Sequence, residues 1–352
     1  MEQQKAKKKN KGLVALWIVL AVIAVLVALL VPNRYTVRQL WCNLFAPTLP
    51  IDTSTEWSGG KTFEHVAYAE DSAAQYLDLY VPDVENPKLF VMVHGGGFIE
   101  GDSQTRQAQY MYRYFRDHGY ACASVQYRLA DEAAFPAACA DVKAAVRYLC
   151  HNAEQYGFDA SRVAIWGESA GGYLASFTAL TAPNDYADVL CIGETEAERF
   201  EMPAFAALVD YYGVLDFGSF DQDFIDEGLL PLVVKIANYW ASNRTGAYNS
   251  FEEYWLRCNR ADWTDAEQNG ANVIWHAANR ENGNPGLKTL ILHGDADITV
   301  SHRQSMHLSD TLTANGEAVT LRLMPGMKHA DDRLYTDEVL ASVDAFLQEA
   351  MQ

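Results

Sequence analysis

Short apolar runs alternate with amphipathic stretches along most of this chain, and this alternation restricts the fold more than any other feature. The runs are too uniformly apolar for strands with one solvated face, so both faces of most strands must be covered. The predicted strands are AQYLDLYVP (74–82) and residues 88–94, 120–130, 162–167, 205–213, 287–294 and 319–326. The pattern predicts an α/β fold with a mostly parallel central sheet flanked by helices.

The stretches between these runs place apolar residues three and four positions apart, which gives each predicted helix a face for the sheet. The clearest predicted helices cover residues 140–157, 171–181, 302–316 and 336–351. From 217 to 285 the alternation lapses into an aromatic-rich insertion. We expect this cap insertion to be mostly helical and to lie over the carboxyl edge of the sheet.

The N-terminus contains nineteen apolar residues without a charge, from Leu13 to Val31. A helix of this length is about 28 Å long, close to the thickness of a bilayer core. The run is longer than the apolar part of a signal peptide and is not followed by a small-residue cleavage site. It predicts a transmembrane anchor over 13–31; a buried core helix is the alternative, disfavoured because the run has no polar face.

Basic residues flank this run unequally, because five lysines precede it and only Arg34 and Arg38 follow closely. The positive-inside rule then puts residues 1–12 in the cytoplasm and the chain after about Pro32 on the other side of the membrane. We predict a juxtamembrane linker over 32–60 and a catalytic domain over 61–352.

The balance of charge excludes one class of partner. Residues 1–34 hold six of the 27 basic residues and one of the 46 acidic residues, so the remainder carries a net charge of about −24. A domain of this charge repels nucleic acid.

The six cysteines form no C-x-x-C pair, and Cys139 and Cys150 are about 16 Å apart along a predicted helix, too far for a disulfide.

The segment Gly167-Glu168-Ser169-Ala170-Gly171 follows a predicted strand and precedes a predicted helix. This is the context of the G-x-S-x-G turn, in which the glycines let the backbone pass closely while the serine side chain projects from the sheet. The helix N-terminus at Ser169 favours developing negative charge. A glycine-rich turn with an incidental serine is the alternative at this point.

Three consecutive glycines follow His94 at the end of another apolar strand, and Phe98 follows them. They expose unhindered N–H groups, which an acyl-transfer enzyme needs to bind an oxyanion. The N–H groups of Gly96 and Gly97, together with that of Ala170, are the candidate donors. A phosphate-binding loop is disfavoured because no G-x-x-x-x-G-K pattern is present, and His94 is expected to fix the loop.

A serine nucleophile needs a base and a carboxylate that orients the base. Among nine histidines, His329 follows the last predicted strand and precedes the final helix, which places it at the carboxyl edge near Ser169. Asp297 is the predicted acid, and Asp295 remains the alternative; Glu168 is disfavoured because its side chain leaves the turn in another direction. A metal site built from His293, Asp295 and Asp297 is a weaker alternative, since nothing nearby completes a coordination shell.

The order of Ser169, Asp297 and His329 is that of the α/β-hydrolase fold. From about residue 67 to the C-terminus the sequence resembles the esterases and lipases of this fold with an HGGG loop, the hormone-sensitive-lipase-like and bacterial acetyl-esterase group. The matching stretches are LDLYVP, HGGGF, YRLADEAAFPAACADVKAAVRYL, GFDASRVAIWGESAGG, VDYYG, LILHGDAD and GMKHA. One departure is Asp131, where many relatives have proline.

The resemblance implies a triad of Ser169, Asp297 and His329 and an oxyanion hole at Gly96, Gly97 and Ala170. It implies a serine esterase that needs no metal or organic cofactor. Short-chain acyl esters, among them acetyl groups on an extracellular carbohydrate, are the expected substrates. An amidase or peptidase and a non-catalytic binding protein are the alternatives. Four aromatic residues of the cap insertion are candidates either for stacking on a ligand or for packing: Tyr239, Trp240, Tyr254 and Trp255.

Overall fold

The computed structural model describes residues 33–48, 59–236, 245–246, 248, 250–280 and 286–352. Within these ranges, no helix has the length and apolar character needed to cross a bilayer. The predicted anchor over 13–31 and the basic segment over 1–12 lie outside the described residues and stay predictions.

A single eight-stranded sheet lies at the centre of the fold. Its strands are β1 (Gly60–Ala67), β2 (Tyr76–Pro82), β3 (Lys88–Val93), β4 (Ala121–Val125), β5 (Asp159–Glu168), β6 (Phe205–Tyr211), β7 (Lys288–Gly294) and β8 (Ala318–Met324). Their order is β1-β2-β4-β3-β5-β6-β7-β8. Strand β2 pairs antiparallel with β1 and β4, and all other neighbours pair in parallel. The predicted mostly parallel sheet is confirmed.

Strand β1 is the strand that the sequence pattern did not predict. It lies at the edge of the sheet, where only Phe63 and Val66 are partly covered and the other side chains are exposed. Its pairing with β2 also shifts register between these two residues. An edge strand with so little buried surface shows neither the apolar run nor the strict alternation that identifies a strand.

Helices cover both faces of the sheet. They are α1 (Arg34–Leu44), α2 (Arg106–Asp117), α3 (Ala137–His151), α4 (Ala153–Tyr156), α5 (Ala170–Leu180), α6 (Phe220–Glu227), α7 (Phe251–Leu256), α8 (Asp265–Ala271), α9 (Val273–Asn279), α10 (Arg303–Ala314) and α11 (Asp337–Ala350). Apolar residues of α3, α5 and α10 form the core on one face, and those of α2 and α11 form the core on the other. The six cysteines, all within the described residues, are free thiols.

The parallel strands all end at one edge of the sheet, and the loops that leave this edge carry the predicted site residues. His94 follows β3, Ser169 follows β5, Asp297 lies three residues after β7, and His329 lies five residues after β8. Ligands of open α/β sheets bind outside the carboxyl ends of the strands. The fold therefore brings together residues that are up to 235 positions apart in the chain.

The described part of the cap insertion is helical over α6, residues 231–236, α7, α8 and α9. Only part of it lies over the carboxyl edge. Helix α7 contacts the loop after β3, where Phe251 approaches Gly97, whereas α9 packs beside α5 and α10 on the face of the sheet. The prediction of a cap over the edge thus holds for α7 and is wrong for α9.

Helix α1 lies inside the segment predicted as a juxtamembrane linker over 32–60. Its Arg38 forms an ion pair with Asp295 at 2.9 Å, and Asn43 donates a hydrogen bond to the carbonyl of Ala296 at 2.7 Å. At least the described part of this segment is therefore a docked helix, and the prediction of a linker is wrong there.

Candidate active site

Ser169 occupies a sharp turn between β5 and α5. Its φ and ψ angles are 52° and −121°, in a region that non-glycine residues adopt only when the surrounding structure enforces it. The turn is enforced by close packing: a Cβ atom on Gly167 would lie 2.0 Å from the carbonyl oxygen of Gly171, and one on Gly171 would lie 2.1 Å from that of Val93. The glycines of the motif are therefore required because there is no room for a side chain.

Ser169, His329 and Asp297 form a continuous chain of hydrogen bonds. The hydroxyl of Ser169 lies 3.0 Å from Nε2 of His329, and Nδ1 of His329 lies 2.6 Å from Oδ2 of Asp297. The carboxylate accepts only, so Nδ1 carries the proton and Nε2 is free to accept the serine proton. The structure brings the three predicted triad residues together in the order that nucleophilic catalysis requires.

Asp297 is buried and held from two sides. Its Oδ1 atom accepts the backbone N–H groups of Thr299 at 2.7 Å and Val300 at 2.9 Å. Its Oδ2 atom accepts from His329 and also from Nε2 of His293 at 3.2 Å. Burial alone would raise the pKa of Asp297, but the two histidines outweigh burial and hold it well below its ordinary range. Asp297 is thus ionised whenever His329 has to be oriented.

His293 is a residue whose role was not predicted from the sequence. Its Nε2 atom lies 3.0 Å from the carbonyl of Val300, and its Nδ1 atom accepts from the Ser305 hydroxyl at 2.8 Å. The ring therefore connects the loop that carries Asp297 to Ser305 of α10 and holds this loop in place. The signal was present, because His293 is part of the H-G-x-x-D pattern that selected Asp297.

Asp295, the alternative acid, has other partners. Its carboxylate pairs with Arg38 at 2.9 Å and accepts the N–H of Gly326 at 2.6 Å. It faces α1 and the turn after β8, whereas Asp297 faces His329. Asp297 contacts His293, but the carboxylate of Asp295 is turned to Arg38 and Gly326. The three residues therefore do not converge on one point as metal ligands would.

Glu168 lies beside the triad in a separate network. Its carboxylate accepts from the phenols of Tyr212 and Tyr335 and from the N–H of Gly95. As expected, its side chain leaves the turn away from the orienting position next to His329. Burial raises the pKa of Glu168, and these donors partly offset that effect. The network links the nucleophile turn to the glycine loop and was not predicted from sequence.

Burial lowers the pKa of His329, but the neighbouring carboxylates of Asp297 and Glu168 more than offset this and raise it above its ordinary value of 6.5. Opposite charges at this range favour the protonated ring. Because a general base has to be neutral, the pKa of His329 sets the lower pH limit of any reaction that Ser169 starts.

The glycine loop after β3 lies directly against the nucleophile. A Cβ atom on Gly95 would lie 3.2 Å from the Cβ atom of Ser169, and Gly96 has φ = 121°, which favours glycine. Ala170 is the first residue of α5, where N–H groups have no partner within the helix. Ala170 adjoins Ser169 and the glycine loop packs against Ser169 at Gly95. The oxyanion hole at Gly96, Gly97 and Ala170 stays a prediction.

His94 supports this loop as predicted. Its Nδ1 atom donates to the carbonyl of Gly95 at 2.7 Å, its Nε2 atom lies 3.1 Å from the side-chain amide of Gln126, and its ring stacks on Tyr127. Burial lowers the pKa of His94 to about 4. The ring is therefore neutral at pH 7 and fixes the loop without carrying charge.

The sequence profile of the BD-FAE family matches residues 77–312, about two thirds of the chain. The chain belongs to the BD-FAE family. This match covers the glycine loop, the nucleophile turn and the acid loop, while His329 lies beyond it. The predicted resemblance to α/β-hydrolase esterases is confirmed at the level of the family and its fold.

Two relatives of this BD-FAE chain are named as ester hydrolases. It is 32% identical over 183 residues to the probable carboxylic ester hydrolase LipM of Mycobacterium tuberculosis, covering 49% of this chain and 38% of the relative. It is 36% identical over 105 residues to the ethyl acetate hydrolase of Pseudomonas putida, covering 29% of this chain and 33% of the relative. The matched segments thus span only about a third of those relatives.

Among solved structures, the BD-FAE chain is similar to a truncated form of a carbohydrate esterase from gut microbiota. The TM-score is 0.65, the identity is 23%, and the match covers 83% of this chain and 97% of the other. At this identity the similarity shows a shared fold.

The four aromatic residues of the cap insertion were predicted either to stack on a ligand or to pack the cap, and they differ in what the structure shows of them. Trp255 is fully buried and stacks on Phe98 with ring centroids 4.0 Å apart, so it packs the cap of this BD-FAE chain against the glycine loop. The hydroxyl of Tyr254 donates a hydrogen bond to the carboxylate of Asp131. The other two candidates, Tyr239 and Trp240, lie outside the described residues. The packing alternative therefore holds for Trp255.

Proposed function

We propose that this chain is a serine esterase that hydrolyses carboxylic esters through an acyl-enzyme. The observation that carries the proposal is the position of His329, 3.0 Å from the Ser169 hydroxyl through Nε2 and 2.6 Å from Asp297 through Nδ1. A hydroxyl, a base and an orienting carboxylate in this geometry are the parts of nucleophilic acyl transfer.

In the first half of the reaction, Ser169 attacks the ester carbonyl carbon and its proton passes to Nε2 of His329. The carbonyl oxygen takes the electron pair and is bound by the N–H groups of Gly96, Gly97 and Ala170. When the tetrahedral intermediate collapses, the bond to the alcohol oxygen breaks and His329 gives its proton to the departing alcohol. Asp297 stabilises the charged ring during this interval.

In the second half, water replaces the alcohol. His329 takes a proton from the water, the resulting hydroxide attacks the acyl carbon, and the same N–H groups bind the second oxyanion. Collapse returns the proton to Ser169 and releases the carboxylic acid. The reaction needs no electron acceptor or donor, and each proton taken up by His329 is returned.

We further propose short acyl chains, with a carbohydrate-linked ester as one class of substrate. The name of the ethyl acetate hydrolase relative supports a short acyl group, and the similarity in fold to a carbohydrate esterase supports a carbohydrate-linked ester.

We also propose that the run over 13–31 anchors the chain in a membrane with the catalytic domain outside the cytoplasm. This proposal rests on the apolar run and on the lysines that precede it.

The test measures hydrolysis of p-nitrophenyl acetate, butyrate and octanoate by the full chain in detergent, with p-nitroacetanilide as the amide counterpart. The variant is Ser169→Ala, and the matched control is Ser176→Ala. Ser176 lies on the same helix α5, is buried, and has no hydrogen-bond partner among the described residues.

We expect the wild type and Ser176→Ala to hydrolyse acetate and butyrate faster than octanoate, and Ser169→Ala to lose nearly all of this activity. Faster turnover of the amide than of the esters would overturn the esterase assignment. Equal rates in Ser169→Ala and the wild type would show that Ser169 is not the nucleophile.

A further inference from the structure

The outward face of α1 is apolar. Its exposed large hydrophobic side chains fall at positions 37, 40, 41 and 44, and Phe45 follows directly after the helix. These positions recur at intervals of three and four, so they share one face of the helix. Trp41 is 64% exposed and Leu44 is 76% exposed. A surface helix of a water-soluble domain normally turns such a face towards the core.

The inward face of α1 is polar. Thr36 and Gln39 are 3% and 1% exposed. Thr36 accepts the N–H of Leu230 at 3.1 Å, and Gln39 donates to the carbonyl of Asp295 at 2.8 Å. The helix is therefore amphipathic in the reverse sense, because hydrogen bonds attach it to the domain and its apolar side chains point away from it.

A second exposed apolar segment adjoins α1. Nine of the thirteen exposed large hydrophobic residues in the described part of the chain lie either on α1 and Phe45 or between residues 225 and 236. The two segments touch, since Tyr35 donates to Glu227 at 2.6 Å. Concentration of exposed apolar side chains in one region is typical of an interaction surface. We call this region, residues 37–45 and 225–236, the apolar face.

The chain that precedes α1 indicates what covers the apolar face. The apolar run from Leu13 ends at Val31, and α1 begins at Arg34. Three residues span at most about 10 Å, so a run inserted in a bilayer keeps the start of α1 at the lipid headgroups. Trp41 and Phe45 lie in van der Waals range with ring centroids 4.2 Å apart, and aromatic residues of this kind are enriched at that depth.

We propose that the apolar face lies on the membrane surface, with Trp41, Leu44 and Phe45 inserted at the boundary between headgroups and acyl chains. The proposal rests on the membrane anchor proposed above. Helix α1 then works as an interfacial helix that holds the catalytic domain against the bilayer. Its polar face contacts the acid loop through Asp295 and Ala296, so the loop that carries Asp297 is close to the lipid.

The test uses the full chain in phosphatidylcholine nanodiscs, whose two faces are both open to solvent. The three partly exposed cysteines, Cys42, Cys150 and Cys258, are replaced by serine. A bimane label is placed on Leu44→Cys, and the matched control is Gln155→Cys. Gln155 is exposed in α4, just before β5 begins, and so lies at the opposite edge of the sheet.

Quenching by doxyl-labelled phosphatidylcholine reports contact with lipid, and quenching by iodide reports contact with water. We expect the label at position 44 to be quenched by the lipid and to lose most of its iodide quenching, and the label at position 155 to behave in the reverse way. Equal iodide quenching at the two positions would overturn the proposal. A disulfide between two position-44 thiols would overturn it in favour of a second copy of the chain.

Two measurements on the same samples separate this proposal from those on which it depends. Alkaline carbonate extraction tests the anchor: a chain that stays with the lipid while position 44 remains open to iodide would disprove the interfacial helix alone. Release of the chain would disprove the anchor and the interfacial helix together. Hydrolysis of p-nitrophenyl acetate in the nanodiscs tests the esterase independently, because neither label touches the triad.

Discussion

Nδ1 of His329 donates a hydrogen bond of 2.6 Å to Oδ2 of Asp297, and this carboxylate is buried with four donors around it. The contact defines which tautomer His329 adopts and therefore which nitrogen faces Ser169. It also raises the pKa of the histidine. Both the reactivity of Ser169 and its dependence on pH should therefore change when this contact is altered.

The Asp297→Asn variant is expected to lose about 10⁴-fold in kcat, because an amide that donates towards Nδ1 selects the wrong tautomer of His329. Steady-state kinetics with p-nitrophenyl acetate measure the loss. Asp295→Asn is the matched control, since Asp295 pairs with Arg38 and does not face His329. A larger loss in Asp295→Asn than in Asp297→Asn would assign the orienting role to Asp295.

Glu168→Gln is expected to shift the pH dependence of kcat/KM. Burial lowers the pKa of His329, and the charges of Asp297 and Glu168 raise it above 6.5; removal of one of these charges lowers it again. Activity requires neutral His329, so the acid limb of the profile moves to lower pH in the variant. The glutamine keeps an oxygen that can accept from Tyr212 and Tyr335.

Tyr335→Phe is the control for Glu168→Gln, because it removes one donor to Glu168 without removing the charge. Because the carboxylate stays in place and keeps its hydrogen bond from Tyr212, we expect the acid limb to move less in this variant than in Glu168→Gln. An unchanged acid limb in Glu168→Gln would show that Glu168 has no electrostatic effect on the base.

Gly96→Ala is expected to lower kcat by about 10²- to 10³-fold, the cost of a displaced oxyanion donor. The added Cβ atom would lie 1.8 Å from the carbonyl oxygen of Glu100, so the loop that carries the N–H groups has to move. Gly119→Ala is the control: its φ of +87° is also positive, but no atom lies within 4 Å of the added carbon. It should lose about 1–2 kcal/mol of stability, the cost of an L side chain in a left-handed conformation, and keep its activity.

The buried ion pair between Arg147 and Glu194 is expected to matter for stability. Arg147 contacts both carboxylate oxygens, at 2.8 and 3.0 Å, and Arg147→Ala leaves the carboxylate buried without its partner. The free energy of unfolding at pH 7 should fall by about 3–5 kcal/mol. Arg162→Ala, which breaks a partly exposed pair with Asp159, should cost about 1 kcal/mol or less.

The same pair predicts a pH dependence of stability. Burial would raise the pKa of Glu194, but Arg147 and two backbone N–H groups outweigh it and lower this pKa to about 2 from its ordinary value of 4.5. The stabilisation is therefore complete above pH 4.5 and is lost as pH falls towards about 2. Denaturant unfolding across this window should show the difference between wild type and Arg147→Ala shrinking with falling pH. A difference independent of pH would contradict the assignment.

The sequence predicted the central sheet and the residues that meet at its carboxyl edge, because both depend on local signals. The buried strands show as apolar runs, and Ser169 and His329 each stand at a strand end with a recognisable pattern. Strand β1 was missed because its side chains are mostly exposed. Helix α1 was missed because its polar face is the buried one, the reverse of the pattern that identifies a helix of a globular domain.

The networks around the site could not be predicted because they join distant segments. Glu168 meets Tyr335 across 167 positions of the chain, and no local pattern pairs two such residues. The same holds for α9, whose position beside α5 and α10 depends on packing of the whole cap insertion. The supporting role of His293 could have been predicted, because His293 belongs to the H-G-x-x-D pattern that identified Asp297.

The proposed esterase depends above all on Ser169 being the nucleophile that His329 activates. The sharpest test treats the full chain with diethyl p-nitrophenyl phosphate, which transfers a phosphoryl group to an activated serine, and locates the adduct by peptide mass spectrometry. We expect one adduct on Ser169, loss of esterase activity in proportion to labelling, and no adduct in a folded His329→Ala variant. An adduct on another residue, or full activity after Ser169 has been modified, would show that Ser169 is not the activated nucleophile.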